Sequence, residues 1–201
     1  MKKFLTVLPL VLLLGFAGTK NELTKKEKKF AVSYLEDTRD DVINTVAGLT
    51  EDQFNYKPSA ERWSVKECLQ HIALAETNIR QMLDGALNQP ANPEKKSEVK
   101  MTDEQLIKMM TDRSNKFQAP ESFQPQKSTF ETATDALNNF KMNREKLIKF
   151  VKNTKMDLRN HIATTPGGMA DAYQLVLMIA AHSNRHTQQI AEVKADPGFP
   201  K

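Results

Sequence analysis

Along most of the chain apolar residues recur at three- and four-residue steps, the period of one helical face, and no stretch shows a convincing strand pattern. The pattern is densest from Met169 to Val193, where Leu175, Met178, Ile179, His182, His186, Ile190 and Val193 share a stripe that no Pro or Gly interrupts. From Leu175 to Ala181 this segment is apolar all round. That suits a helix enclosed by neighbours rather than one lying on a surface. Two histidines therefore fall one turn apart on a buried stripe.

The other elements are marked by start signals. Thr24-x-x-Glu27 is a capping box that opens a helix with Phe30, Tyr34, Val42, Val46 and Leu49 inward and Gly48 near its end. Residues 50–63, with Pro58, form a connection long enough to let the next helix pack without being a tight hairpin partner. Ser64-x-x-Glu67 caps a second helix with Val65, Cys68, Leu69, Ile72, Ala75, Ile79, Met82 and Leu83 on its apolar face. After a Pro-containing loop at 88–100, Thr102-x-x-Gln105 caps a shorter segment reaching about Phe117. Ser128-x-x-Glu131 is the expected cap of a long helix through Val151, and residues 153–168 read as a loop before the last helix. The expected fold is an all-α four-helix bundle with long connections plus a short extra helix, not bound to an up-down-up-down order.

The first residues change the picture of location. Lys2 and Lys3 precede an apolar run at 4–17 that ends in small residues, Gly15 and Ala17, the parts of a secretory signal peptide cleaved after Ala17. The run falls short of the roughly 20 apolar residues that a spanning helix needs. The sequence thus divides into a signal peptide at 1–17, a linker at 18–23, a helical domain at 24–194 and a tail at 195–201. The expected protein is exported, periplasmic or extracellular, with no stable membrane anchor after cleavage.

Charge narrows the partners. Apart from Lys2 and Lys3, 27 basic residues stand against 25 acidic ones, which is no nucleic-acid footprint. The Lys25–Lys29 run alternates with Glu27 and reads as a solvated helix face. A single cysteine, Cys68, excludes an internal disulfide and any cysteine-rich metal site. The expected partner is a small-molecule substrate, and a homodimer stays open.

His71 lies three residues after Cys68 and four before Ala75, on the edge of the second helix's apolar face. With His182 and His186 it would make a three-histidine set on two helices. Three ligands that leave a position free are the arrangement of catalytic zinc sites, where water approaches a pKa of about 7. The same spacing also fits a hydrogen-bonded pair of core histidines. Ser183 follows His182, so the His-Glu-x-x-His protease arrangement and its built-in base are absent.

Two blocks carry a resemblance. Trp63-Ser64-Val65-Lys66-Glu67-Cys68-Leu69-Gln70-His71 is one, and Gly167-Gly168-Met169 leading to His182-Ser183-Asn184-Arg185-His186-Thr187-Gln188-Gln189-Ile190 is the other. Over about Thr24 to Val193 the chain resembles the DinB/YfiT-like family of metalloenzymes. The resemblance implies a four-helix bundle and a divalent ion (nickel, zinc, iron or manganese) held by His71, His182 and His186. Relatives include thiol S-transferases and a maleylpyruvate isomerase, which are cytoplasmic, so the apparent signal peptide is a departure.

The expected function is an exported metal-dependent enzyme acting on a small molecule, a hydrolase or a thiol S-transferase. The alternative is a non-catalytic metal- or ligand-binding bundle. Around the histidines, His161 is read as a loop residue that could reach the mouth of the site, Cys68 as a buried thiol, and Trp63 as a residue that packs the start of the second helix. Glu67 serves the capping box, and Arg185 is read as part of a solvated helix face.

Overall fold

The computed structural model describes residues 22–115 and 117–201, so the expected signal peptide at 1–17 and most of the expected linker lie outside the described residues. Six α-helices follow one another: α1 (Lys25–Val46), α2 (Glu51–Asn55), α3 (Val65–Leu87), α4 (Asp103–Thr111), α5 (Ala133–Asn153) and α6 (Ala172–Lys194). Two short strands, β1 (Ile162–Thr165) and β2 (Gly168–Asp171), stand between α5 and α6. The capping boxes at Thr24, Ser64 and Thr102 form as their spacing predicts, each side chain accepting from the amide three residues on. Gly48, at φ +72°, takes the left-handed conformation just past the end of α1.

Four expectations need correction. Residues 50–63 are not all connection, because Thr50 and Gln53 form a further capping box that starts α2. The cap of α5 is Thr132 with Asp135, not Ser128 with Glu131. Residues 128–131 lie outside the helix, and the Gln70 amide on α3 claims the Phe130 carbonyl at 2.7 Å. Helix α4 stops at Thr111 rather than near Phe117, since Arg185 draws the carbonyls of Met110, Asp112 and Asn115 to itself. The loop before α6 contains an antiparallel hairpin, Ile162 opposite Asp171 and Thr165 opposite Gly168, so α6 starts at Ala172 under an Asp171 cap rather than at Met169. Four-residue strands are too short to leave a period in the sequence.

Helices α1, α3, α5 and α6 form the bundle. Each of α1 and α3 packs on both α5 and α6, which puts α1 and α3 at opposite corners. The 18-residue link from Val46 to Val65 and its short helix make that diagonal step without a tight hairpin. The α1 stripe is Ala31, Leu35, Thr38, Val42 and Val46, and Phe30 is displaced to the surface, stacked on Tyr34 at 5.9 Å.

The interior has two apolar halves. One gathers Leu35, Leu83, Leu147 and Leu175, and the other Val42, Leu69, Phe140 and Ile190. Their order along each helix runs α1 parallel to α6 and α3 parallel to α5. Between the halves lies a polar layer with one member from each helix: Thr38, Glu76, Arg144 and Ser183, all nearly without exposed surface. Arg144 donates twice to the Glu76 carboxylate, at 2.8 and 2.7 Å, and to Thr38 Oγ1, the Leu35 carbonyl and Ser183 Oγ. Neither capping nor periodicity announced this layer.

Removing one member of a buried ion pair strands the other, at a typical cost of about 3–5 kcal/mol. Arg144→Met should therefore lower the urea-unfolding free energy by that amount. Arg144→Met with Glu76→Leu should recover most of the loss, because Thr38 and Ser183 keep their bonds to the Tyr34 and Ile179 carbonyls. A double variant no more stable than the single one would refute this account.

Candidate metal centre

His71 comes from the second turn of α3, and His182 and His186 from successive turns of α6. The fold brings the three together: ring centroids are 4.3–4.7 Å apart, and His71 Nε2 lies 3.0 Å from the Nε2 of both His182 and His186. His71 and His186 are buried and His182 is half-buried.

The outer ring nitrogens decide what the inner ones present. His71 Nδ1 sits 2.5 Å from the Phe123 carbonyl, which only accepts, so Nδ1 carries the proton and Nε2 faces inward with its lone pair. His186 Nδ1 likewise donates to Gln189 Oε1 at 2.9 Å, and Arg113 donates to that same oxygen. Two nitrogen lone pairs then face each other across 3.0 Å with no proton between them. A cation held by both is the natural complement of that arrangement, and partners on the far nitrogen are how ligating histidines are oriented.

Burial also discourages protons from filling the gap. It lowers the His71 pKa to about 4 against the partial opposition of the Phe123 hydrogen bond, and it takes His182 and His186 well below the usual histidine range, helped by their cationic neighbours. Neutral imidazole is the ligating form, and an all-imidazole donor set suits zinc, nickel or iron, whereas manganese favours oxygen ligands. Among the described residues no fourth His, Cys, Asp or Glu joins the cluster.

The cluster lies in the wall of a cavity of about 1120 Å³. Trp63 also lines it, its ring 4.8 Å from His71 and 6.0 Å from His186, so it packs the start of α3 and covers the imidazoles together. Arg185 does not belong to a solvated face. It is buried, holds the chain after α4 through backbone carbonyls, and lies over the Phe117 ring. His161 is not among the cavity residues; its Nδ1 meets the Asp157 carbonyl at 2.6 Å. Cys68 is a fully buried thiol in the Val42–Phe140 half of the core, its pKa pushed up by burial. Glu67 closes its capping box and pairs with Lys57. Gln189 was within reach of sequence reasoning, being one turn from His186, whereas the Phe123 carbonyl, a backbone group far along the chain, left no signal.

Fold and cluster together define a class: a four-helix bundle whose three-histidine group fits a metal-dependent enzyme. A profile of the DinB superfamily matches residues 34–190, and the chain belongs to that superfamily. It is 26% identical over 164 residues to the uncharacterized protein YuaE of Bacillus subtilis (strain 168), covering 81% of this chain and 96% of that one. Among solved structures it is similar to YfiT from Bacillus subtilis, described as a probable metal-dependent hydrolase with an unusual four-helix bundle topology. That likeness has a TM-score of 0.60 at 14% identity and covers 89% of this chain and 91% of YfiT, which shows the fold.

The depressed imidazole pKa values set a pH dependence for metal-free protein. Above about pH 6.5 the histidines are neutral folded or unfolded, so they do not penalise the fold. As pH falls towards 4 the unfolded chain takes up protons first, and stability is lost, about 3 kcal/mol of it from His71 alone. Urea unfolding of chelator-treated protein at pH 7, 6 and 5 should show this decline, and His71→Gln should shrink it. A flat profile in the parent protein would contradict neutral, buried imidazoles.

Proposed function

We propose that this protein is an exported, metal-dependent hydrolase of a small molecule, with His71, His182 and His186 holding one divalent ion. The observation that carries the reading is the pair of inward Nε2 lone pairs 3.0 Å apart, locked by the Phe123 carbonyl and Gln189. The chemistry a divalent cation supplies there is Lewis acidity, for polarising a carbonyl or phosphoryl oxygen and activating water near neutral pH. Three protein ligands, with no fourth among the described residues, favour a catalytic over a structural role.

The chain's own residues do the remaining work. Phe123 and Gln189 keep the protons of His71 and His186 on Nδ1. Trp63 shields the imidazoles from bulk water on one side. Arg113 holds Gln189 Oε1 and also grips Glu192, keeping that carboxylate ionised at the cavity wall. Hydrolysis is preferred to thiol transfer because YfiT, whose fold this chain shares, is described as a probable metal-dependent hydrolase.

Protein purified without an affinity tag should retain about one divalent ion per chain by elemental analysis and hydrolyse small esters or amides. His186→Ala leaves two of the three ligands and should drop metal content below about a tenth and abolish turnover, with helical circular dichroism preserved. A parent that takes up no zinc, nickel, iron or manganese, or a variant that keeps its metal, would overturn the site.

Export rests on Lys2, Lys3 and the apolar run at 4–17. The mature protein should begin at or near Gly18 by N-terminal sequencing. An intact Met1 on soluble cytoplasmic protein would refute export.

A further inference from the structure

The cavity beside the histidines is larger than a small ester requires, and its walls differ from end to end. Six of the eight described methionines line it: Met82, Met101, Met109, Met110, Met169 and Met178. All six are half-buried, backed by the protein on one side and facing the cavity on the other. They come from α3, α4, α6, β2 and the segment before α4, so no single helix period accounts for their convergence. Polar groups at this end are already engaged: Gln174 donates to the Met101 carbonyl at 2.8 Å and Thr165 to the Gly168 carbonyl at 2.8 Å. Beyond the imidazoles in the opposite direction along α6 come Gln189 and Glu192, with Arg113 paired to both and Arg62 nearby on the wall.

We propose that the cavity is built for a substrate with an unbranched apolar chain, which lies among the methionines while its reactive group meets His71, His182 and His186 and its polar remainder faces Arg62, Arg113 and Glu192. Methionine side chains are flexible and polarizable, and they adapt to an apolar guest of variable shape where branched residues would enforce one. Along α3 the chamber extends from His71 to Met82, eleven residues or about 16 Å of helix rise. An extended chain advances about 1.2 Å per bond, so about thirteen bonds, or roughly fourteen carbons, fill that length. The proposal rests on the hydrolase reading for the identity of the reactive end, but not for the chain-binding end.

Straight-chain alcohols from butanol to hexadecanol, titrated calorimetrically into the metal-free full chain, test the chamber alone. Affinity should rise about fourfold per added methylene and level off near fourteen carbons. Met82→Glu should weaken decanol at least tenfold, while Met142→Glu, on the exposed face of α5, should not. On metal-loaded protein, kcat/KM for nitrophenyl alkanoates should climb with acyl length over the same range. An affinity independent of chain length would overturn the proposal even if short esters were hydrolysed. Length-dependent alcohol binding without hydrolysis of either esters or amides would support the chamber and refute the hydrolase reading instead.

Discussion

A guanidinium with no exposed surface must find all its partners inside the protein, and Arg144 finds them on each of the other three bundle helices. That requirement levels the bundle. Thr38, Glu76 and Ser183 have to arrive at one height and turn inward together, and the apolar halves above and below are packed around them. Ser183 carries the constraint to the site. With about 100° per residue, a serine aimed at Arg144 places His182 and His186, one before and three after it, together on an adjacent face of α6. The polar layer thus sets the rotation that turns both imidazoles toward His71.

The histidine cluster is another concentration of polar groups in the interior, and it is balanced differently. In the Arg144 layer every donor has its acceptor. Among the imidazoles the outer nitrogens of His71 and His186 are satisfied and their inner nitrogens are aimed at each other, with burial opposing the protonation that would relieve them. A buried, desolvated group of acceptors at this spacing is preorganised for a cation, because little rearrangement is left for the binding step.

The long connections also acquire a purpose. The bundle supplies the histidines and one wall of the cavity through α3 and α6. The remaining walls come from what interrupts the bundle: Met101 before α4, α4 itself, Phe117 and Phe123 after it, and the hairpin residue Met169. Asn92 fastens part of this cover, its side chain bonding both the amide and the carbonyl of Ile162. The tail is fastened too, with Tyr56 donating to Asp196 and Gln53 to the Pro200 carbonyl. Residues of the connections thereby become site residues, held in part by side-chain to backbone bonds.

Helix period and capping chemistry are local properties, so the sequence by itself determined the bundle, the starts of α1, α3 and α4, and the faces on which His71, His182 and His186 lie. Where several local signals competed it misled: Ser128 and Thr132 both satisfy a cap pattern, and Phe30 and Ala31 both border a plausible stripe. Choosing between them required knowing that Gln70 takes the Phe130 carbonyl and that Ala31 and Leu35 face the interior. The diagonal placement of α1 and α3, the Arg144 layer, the hydrogen bond from His71 to Phe123 and the gathering of six methionines were decided only by the tertiary structure. Each joins residues tens of positions apart, and a contact between distant segments depends on how whole helices are rotated and leveled, which no local spacing encodes.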